Sequence, residues 1–277
     1  MRIRGYLVRM KSRGRRRNCS LACALAALAA LAAPRLVRPD ANPLSADEVR
    51  ARWQARLAGR HFTASIVLSI DRQGQHEQRR LTVWRDDVDS HRERVMARFE
   101  EPPDLRGLGV LYIENPSGAN EYFLYQPTTR RVRRIGESMA REDVYGIDLE
   151  YLGFGLAVGE PTRAESVAPE PLAERATLRL TERAVESNPR FDRRTTWLDP
   201  ITFIPVRTIQ YQGDAEALRA RTEEVRSIQG VPTPTRIVFE KVADQQTVTM
   251  EVPSMDYEAP IPESYFSTMA LIKGAAR

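Results

Sequence analysis

The 277-residue chain has 42 Lys and Arg against 37 Asp and Glu, a formal net charge of +5, with three His and two Cys. The excess is N-terminal: residues 1–33 hold eight basic residues and no acidic one, and without them 34 basic residues face 37 acidic ones, which removes the net-charge argument for nucleic acid. Both cysteines, Cys19 and Cys23, lie in that stretch, so the remainder has no disulfide, thiolate metal site or cysteine nucleophile.

Taken in order, the basic start runs into "CSLACALAALAALAA" at 19–33. A basic region, an apolar run and a small-residue site at Ala30-Leu31-Ala32 are the marks of a secretory signal peptide. The run is short for a membrane span, which needs about 20 residues, although an uncleaved anchor is the alternative. Arg16-Arg17 continues poorly for twin-arginine export, and Cys23 precedes most of the apolar run, which argues against a lipoprotein site. Residues 1–33 are therefore expected to be a signal and 34–44, with three prolines, a linker. Residues 45–277 are expected to form one domain, a length sufficient for a single large core.

A helix is predicted from Ser45. Glu48 three residues on completes a capping box, Val49, Trp53 and Leu57 form one apolar stripe, and Gly59 stops it. Strands then dominate, predicted at 62–71, 76–86, 91–102, 107–115, 120–127 and 130–135, with short turns between them. A helical or irregular stretch follows, then strands at 176–183, 191–199, 202–211, 223–229, 235–242 and 247–252, and a short helix near 263–272. About twelve short antiparallel strands with few helices imply a closed barrel, a partly closed barrel or a strongly curved sheet. In "TVTMEV" one face is apolar and the other polar. In "NEYFLYQP" both faces are apolar, Phe123 with Tyr125 and Tyr122 with Leu124, so that sheet region needs a cover on each side. The Trp53 helix can supply one cover, and more helix or a ligand cavity the other.

Catalytic constellations are missing from the pattern. His61, His76 and His91 lack metal-ligand spacing, and no nucleophile elbow, phosphate loop or zincin motif occurs. Asp86-Asp87 and Glu100-Glu101 point to opposite faces of their strands and cannot share a proton. Asp143 and Asp148 read as turn or capping residues. No enzyme, metal or cofactor is expected. The basic cluster Arg130, Arg131, Arg133 and Arg134 reads as a solvated hairpin that blocks edge pairing, as a contact for anionic headgroups or an acidic partner, or as a nucleic-acid patch. The acidic remainder disfavours the last.

"YFLYQPTTRRVRRIGESMAREDVYGIDLEYL" (122–152) resembles the hallmark of the LolA-like outer-membrane lipoprotein-sorting proteins. "FEEPPDLRGLGVLYI" (99–113) resembles the family's entry strand, and "FIPVRTIQY", "GVPTPTRIVFE", "TVTMEV" and "IPESYFS" fall in the family's order. The chain departs from the pattern at Val144-Tyr145 and at Leu149. The resemblance implies a mainly β fold: an unclosed, half antiparallel β-barrel of about 11–12 strands, with helices covering the concave side and an acyl-chain cavity between. It implies a monomeric periplasmic carrier of lipid or lipoprotein toward the outer membrane, with an exporter of the resistance–nodulation–division type as a partner and no nucleic acid. A lipid- or lipoprotein-sensing regulator of the same fold is the alternative; the chain ending soon after "YFSTMALIKG" favours the carrier. Trp84, Phe99, Tyr112, Phe123, Tyr125 and Met250 are the cavity residues expected on this basis. Arg130, Arg131, Arg133 and Arg134 are the expected headgroup or partner contacts.

Overall fold

In the computed structural model, which describes residues 44–87, 92–136, 161–185 and 189–274, helix α1 (Ala46–Gln54) begins at the predicted cap. Ser45 Oγ accepts from the Glu48 amide at 3.2 Å, and Glu48 Oε2 accepts from the Ser45 amide at 2.7 Å. These bonds satisfy donors that the first helical turn leaves open, and they hold the Glu48 carboxyl below its ordinary range. A 3₁₀ turn (Ala55–Leu57) follows, and Gly59 takes a positive φ of 68° that ends the segment. Val49, Trp53 and Leu57 are all buried, as their spacing requires. The signal region, residues 34–43 of the linker, His91, Asp143 and Asp148 lie outside the described residues.

Thirteen antiparallel strands form one sheet. They are β1 (Phe62–Arg72), β2 (Gln75–Asp87), β3 (Glu93–Glu101), β4 (Gly109–Ile113), β5 (Glu121–Gln126) and β6 (Arg131–Ile135). The second set is β7 (Thr162–Pro169), β8 (Leu178–Ala184), β9 (Arg193–Leu198), β10 (Pro205–Gln212), β11 (Ala215–Ile228), β12 (Val231–Lys241) and β13 (Gln246–Asp256). Their order is β6 to β1, then β13 back to β7, so two meanders join where β1 pairs with β13. Among the described residues β6 and β7 are the two ends, and the sheet is not closed into a barrel.

The strand count exceeds the expected 11–12 because β7 was hidden. "TRAESVAP" is half-exposed, charged and Ala-rich, so period-2 apolar alternation is weak there. Its pairing with β8 and cover by α1 make it a strand. The first half of β11 lies outside the predicted 223–229 for a related reason. "AEALRART" carries helix-favouring residues, yet Leu218, Ala220 and Thr222 pair with Lys241, Phe239 and Ile237, and cross-strand pairing overrides propensity.

The register separates two faces. One carries α1 and holds the main core: Ile66, Leu68, Leu81, Val83, Ala97, Phe99, Val110 and Tyr112. On the same face α1 sets Val49 and Trp53 against Leu180 and Leu198, at the β7–β9 end. The opposite face of β2–β6 is covered by the C-terminal segment, a 3₁₀ turn (Glu263–Tyr265) and helix α2 (Thr268–Lys273). The helix expected near 263–272 is thus split, with Phe266, Ala270 and Leu271 buried against Met96, Leu111 and Tyr125. A Cβ on Gly109 would stand 2.8 Å from Leu271 Cδ2, so that residue's smallness permits the close approach. Arg98 donates to the Leu271 carbonyl at 2.9 Å, and Arg94 donates to Glu263 at 3.0 Å and lies 4.9 Å over Phe266. The two-faced apolar strand 120–127 is explained: Tyr122 and Leu124 join the main core, and Phe123 and Tyr125 lie beneath α2.

Candidate functional site: an open apolar pocket beside α1

Between α1 and strands β9–β12 the α1 face is only partly filled. An open pocket there encloses about 700 Å³, its mouth included. The walls follow the pleat: Thr208 and Gln210 on β10, Leu218, Ala220 and Thr222 on β11, and Ile237 and Phe239 on β12 face the space, with Pro205 and Pro234 at the margin. Trp53 and Arg56 close it from the α1 side, and Arg194 from β9. Arg207 and Arg221 also border it, but their register partners set them on the opposite face, where Arg207 lies 5.2 Å over the Trp197 ring and Arg221 pairs with Glu223 at 3.0 Å. No acidic residue lines the pocket among the described residues.

The polar groups on this wall differ sharply in how they are satisfied. Arg194 is buried and donates to Glu182 at 2.9 Å. Glu182 also accepts from Thr162 Oγ1 at 2.8 Å, and the Arg194 guanidinium lies 4.8 Å from the Trp53 ring. Arg56 has no such partner: its Nε and Nη1 are buried and unpaired, as is Trp53 Nε1. Burial draws the Arg56 pKa down to about 10; nearby Tyr257 opposes this and nearby Arg85 reinforces it.

Behind the pocket a second charged group fixes the chain after α1. Arg85 on β2 is 3% exposed and donates to the carbonyls of Leu57 and Arg60 at 2.9 and 2.8 Å. It pairs with Glu93 and lies 3.6 Å from Asp87, which accepts from the Gly59 amide at 2.8 Å. Burial raises the Glu93 pKa, and Arg85 opposes the rise. Nothing in the local sequence announces this network. Arg85 sits in a strand whose neighbours are also arginines and acids, and its partners lie 28 residues upstream and 8 downstream.

The six expected cavity residues divide between the faces. Met250, Phe99 and Tyr112 belong to the main core on the α1 face, and Met250 is the register partner of the pocket residue Ile237. Trp84, Phe123 and Tyr125 lie on the opposite face under the C-terminal segment, where Trp84 meets Tyr265 edge-on at 5.9 Å. None of the six lines the pocket. A period-2 pattern shows which residues share a face but not which face carries the cover.

The basic residues lie as a hairpin at one end of the sheet. Arg130 takes a φ of 52° in the turn, and Arg130, Arg131, Arg133 and Arg134 are all exposed, with Arg134 3.1 Å from Glu121. Arg131 and Arg133 share the face of Leu124, and Arg134 that of Phe123. His61 is half-buried on β1's approach, and His76 is exposed with Nδ1 2.9 Å from Asp71 Oδ2. Asp86 pairs with Arg94 and Asp87 with Arg85, so neighbouring carboxylates diverge as expected. Among the described residues no group of three or more His, Cys, Asp or Glu could hold a metal, and no helix is long and apolar enough to cross a membrane.

A family model described as an "Uncharacterized protein" matches residues 91–273. No curated protein matches the chain. Among solved structures, a DUF1329 family protein from Desulfovibrio piger superposes with a TM-score of 0.73 at 17% identity, covering 82% of this chain and 97% of its own. An outer membrane lipoprotein-sorting protein domain from Vibrio parahaemolyticus gives 0.71 at 15% identity, covering 82% and 97%. A LolA superfamily protein from Nitrosomonas europaea gives 0.63 at 14% identity, covering 82% and 99%. At these identities the likeness to each structure is one of fold. The family model spans well over half of the chain, and the chain belongs to that family; its likeness to the lipoprotein-sorting and LolA superfamily structures is one of fold.

Proposed function

We propose that the chain is an exported, monomeric carrier that shields the acyl chain of a lipid or lipoprotein in the pocket beside α1. The observation that carries this reading is the pocket itself, an open space of about 700 Å³ walled by Leu218, Ala220, Ile237 and Phe239 on an unclosed sheet. The surface it presents is mostly apolar, with a few polar groups, as in small-molecule sites. The name of the Vibrio parahaemolyticus domain, lipoprotein sorting, supports the same class of cargo. The basic, apolar start supports export to the periplasm with residues 1–33 removed, leaving 34–44 as a linker and 45–277 as the carrier domain. The exposed arginines of the β5–β6 hairpin are the proposed contact with anionic headgroups or with a membrane partner, including an exporter of the resistance–nodulation–division type. Shielding a chain needs no catalytic group, which fits the absence of catalytic motifs in the sequence.

The test is to narrow the pocket. Ala220→Phe places an aromatic ring into the space from β11, and the Phe123→Ala, Tyr125→Ala double variant alters the opposite face. Displacement of a fluorescent fatty acid should weaken at least tenfold in the first and stay within about threefold in the second, since excluding a few methylenes at about 0.8 kcal/mol each accounts for such a loss. Unchanged affinity in Ala220→Phe, or loss confined to the double variant, would remove the pocket from the mechanism.

A further inference from the structure

The unpaired donors beside the pocket are not needed to hold the fold. Arg194, on the same wall, has Glu182 and Thr162 as partners. Arg56 has Nε and Nη1 buried and unpaired, and Trp53 Nε1 is in the same state. Both side chains line the pocket, and Arg56 also borders the small space that includes Thr233 and Tyr257. Buried guanidinium nitrogens without an acceptor are costly, and buried polar groups in native proteins are almost always satisfied. The lining offers no acid to neutralise it among the described residues.

We propose that Arg56, aided by the Trp53 indole N–H, binds the acidic head of a single-chain amphiphile, a carboxylate or phosphate, whose tail lies along Ile237 and Phe239. This rests on the carrier reading above and narrows it from lipid in general to anionic amphiphiles. The guanidinium is planar and matches two oxygens of a carboxylate or phosphate at once, and in a desolvated site such charge-assisted bonds are about twice as strong as neutral ones. The apolar walls contribute affinity without distinguishing one head from another. Arg56 and Trp53 supply the selectivity.

Laurate, dodecyl phosphate, dodecanol and inorganic phosphate distinguish the possibilities when titrated into the exported protein by calorimetry. Laurate and dodecyl phosphate should each bind at least tenfold more tightly than dodecanol, and inorganic phosphate far more weakly than dodecyl phosphate. Arg56→Met should bind the three dodecyl compounds alike, near the dodecanol value, and should melt at a higher temperature without ligand, because it removes two unpaired buried donors. Arg56→Lys should keep part of the preference, and Trp53→Phe should lose a few-fold of it with the ring's packing retained. If solvent alone satisfies these donors, charged and neutral chains bind equally, and the inference is overturned while the carrier reading stands. A preference that survives in Arg56→Met overturns it too, since the head then sits elsewhere. Equal binding of inorganic and dodecyl phosphate would make the site one for a free anion and reject the amphiphile. If no dodecyl compound binds, both the inference and the carrier reading fall.

Discussion

Arg85→Met should lower the unfolding free energy by about 3–5 kcal/mol at neutral pH, the range for removing one partner of a buried ion pair. The substitution fills most of the same volume but withdraws the donors that hold the Leu57 and Arg60 carbonyls. It also leaves Glu93 and Asp87 buried without their cation. The pH dependence follows from Glu93, whose pKa is raised by burial and held back by Arg85. In the variant the restraint is gone and the pKa rises further. The folded state then holds a proton that the unfolded chain has already released above the ordinary carboxylate range, so stability falls as pH rises through that window. Acidification should therefore narrow the gap between variant and parent. Urea unfolding at pH 7.5 and pH 5 reads both effects. A loss under about 1 kcal/mol, or a gap that does not narrow at pH 5, would show that the network does not anchor the turn after α1.

Trp53→Ala should cost about 3–5 kcal/mol, the usual range for truncating a buried aromatic. Trp53 is 5% exposed and ties α1 to Leu180 and Leu198, the core of the β7–β9 end. It also covers the Arg194 guanidinium at 4.8 Å, a contact that adds about 0.5–2 kcal/mol when desolvated. For a domain of this size each kcal/mol moves the melting point by about 2–4 °C, so calorimetry should find a drop of about 6–20 °C. Trp53→Phe, which keeps a ring in the cluster, should lose less than half of that. Equal losses in the two variants would mean that the cluster does not depend on ring packing.

These two residues also mark how far the sequence could be read. Trp53 stands in a capped, periodic helix, and both its cap at Ser45 and its burial follow from local rules. The opposed apolar pairs in 120–127 correctly require a cover on each side of the sheet. Local rules do not say that α1 packs at the far end of the sheet from β5, against β7 and β8, or that α2 takes the Phe123 face. Those placements depend on strand order, which a period-2 pattern does not contain. The pocket was hidden for the same reason. Thr208, Gln210, Ala220 and Ile237 are ordinary strand residues separated by exposed arginines and acids, and they become one wall only when β10, β11 and β12 are paired in register. Aromatics drew the expectation to the β2–β5 half, where they fill cores. Arg85 and Arg56 were unreadable among so many arginines, because only burial separates them from the solvated ones.

A lipid tail is expected in the pocket beside α1, and native mass spectrometry of the exported protein reads its presence. The expected species begins near Ala33 and carries one lipid-sized adduct, released by organic solvent and lost in Ala220→Phe. A full-length chain without adduct, or an adduct that persists undiminished in Ala220→Phe, would contradict this placement of the tail.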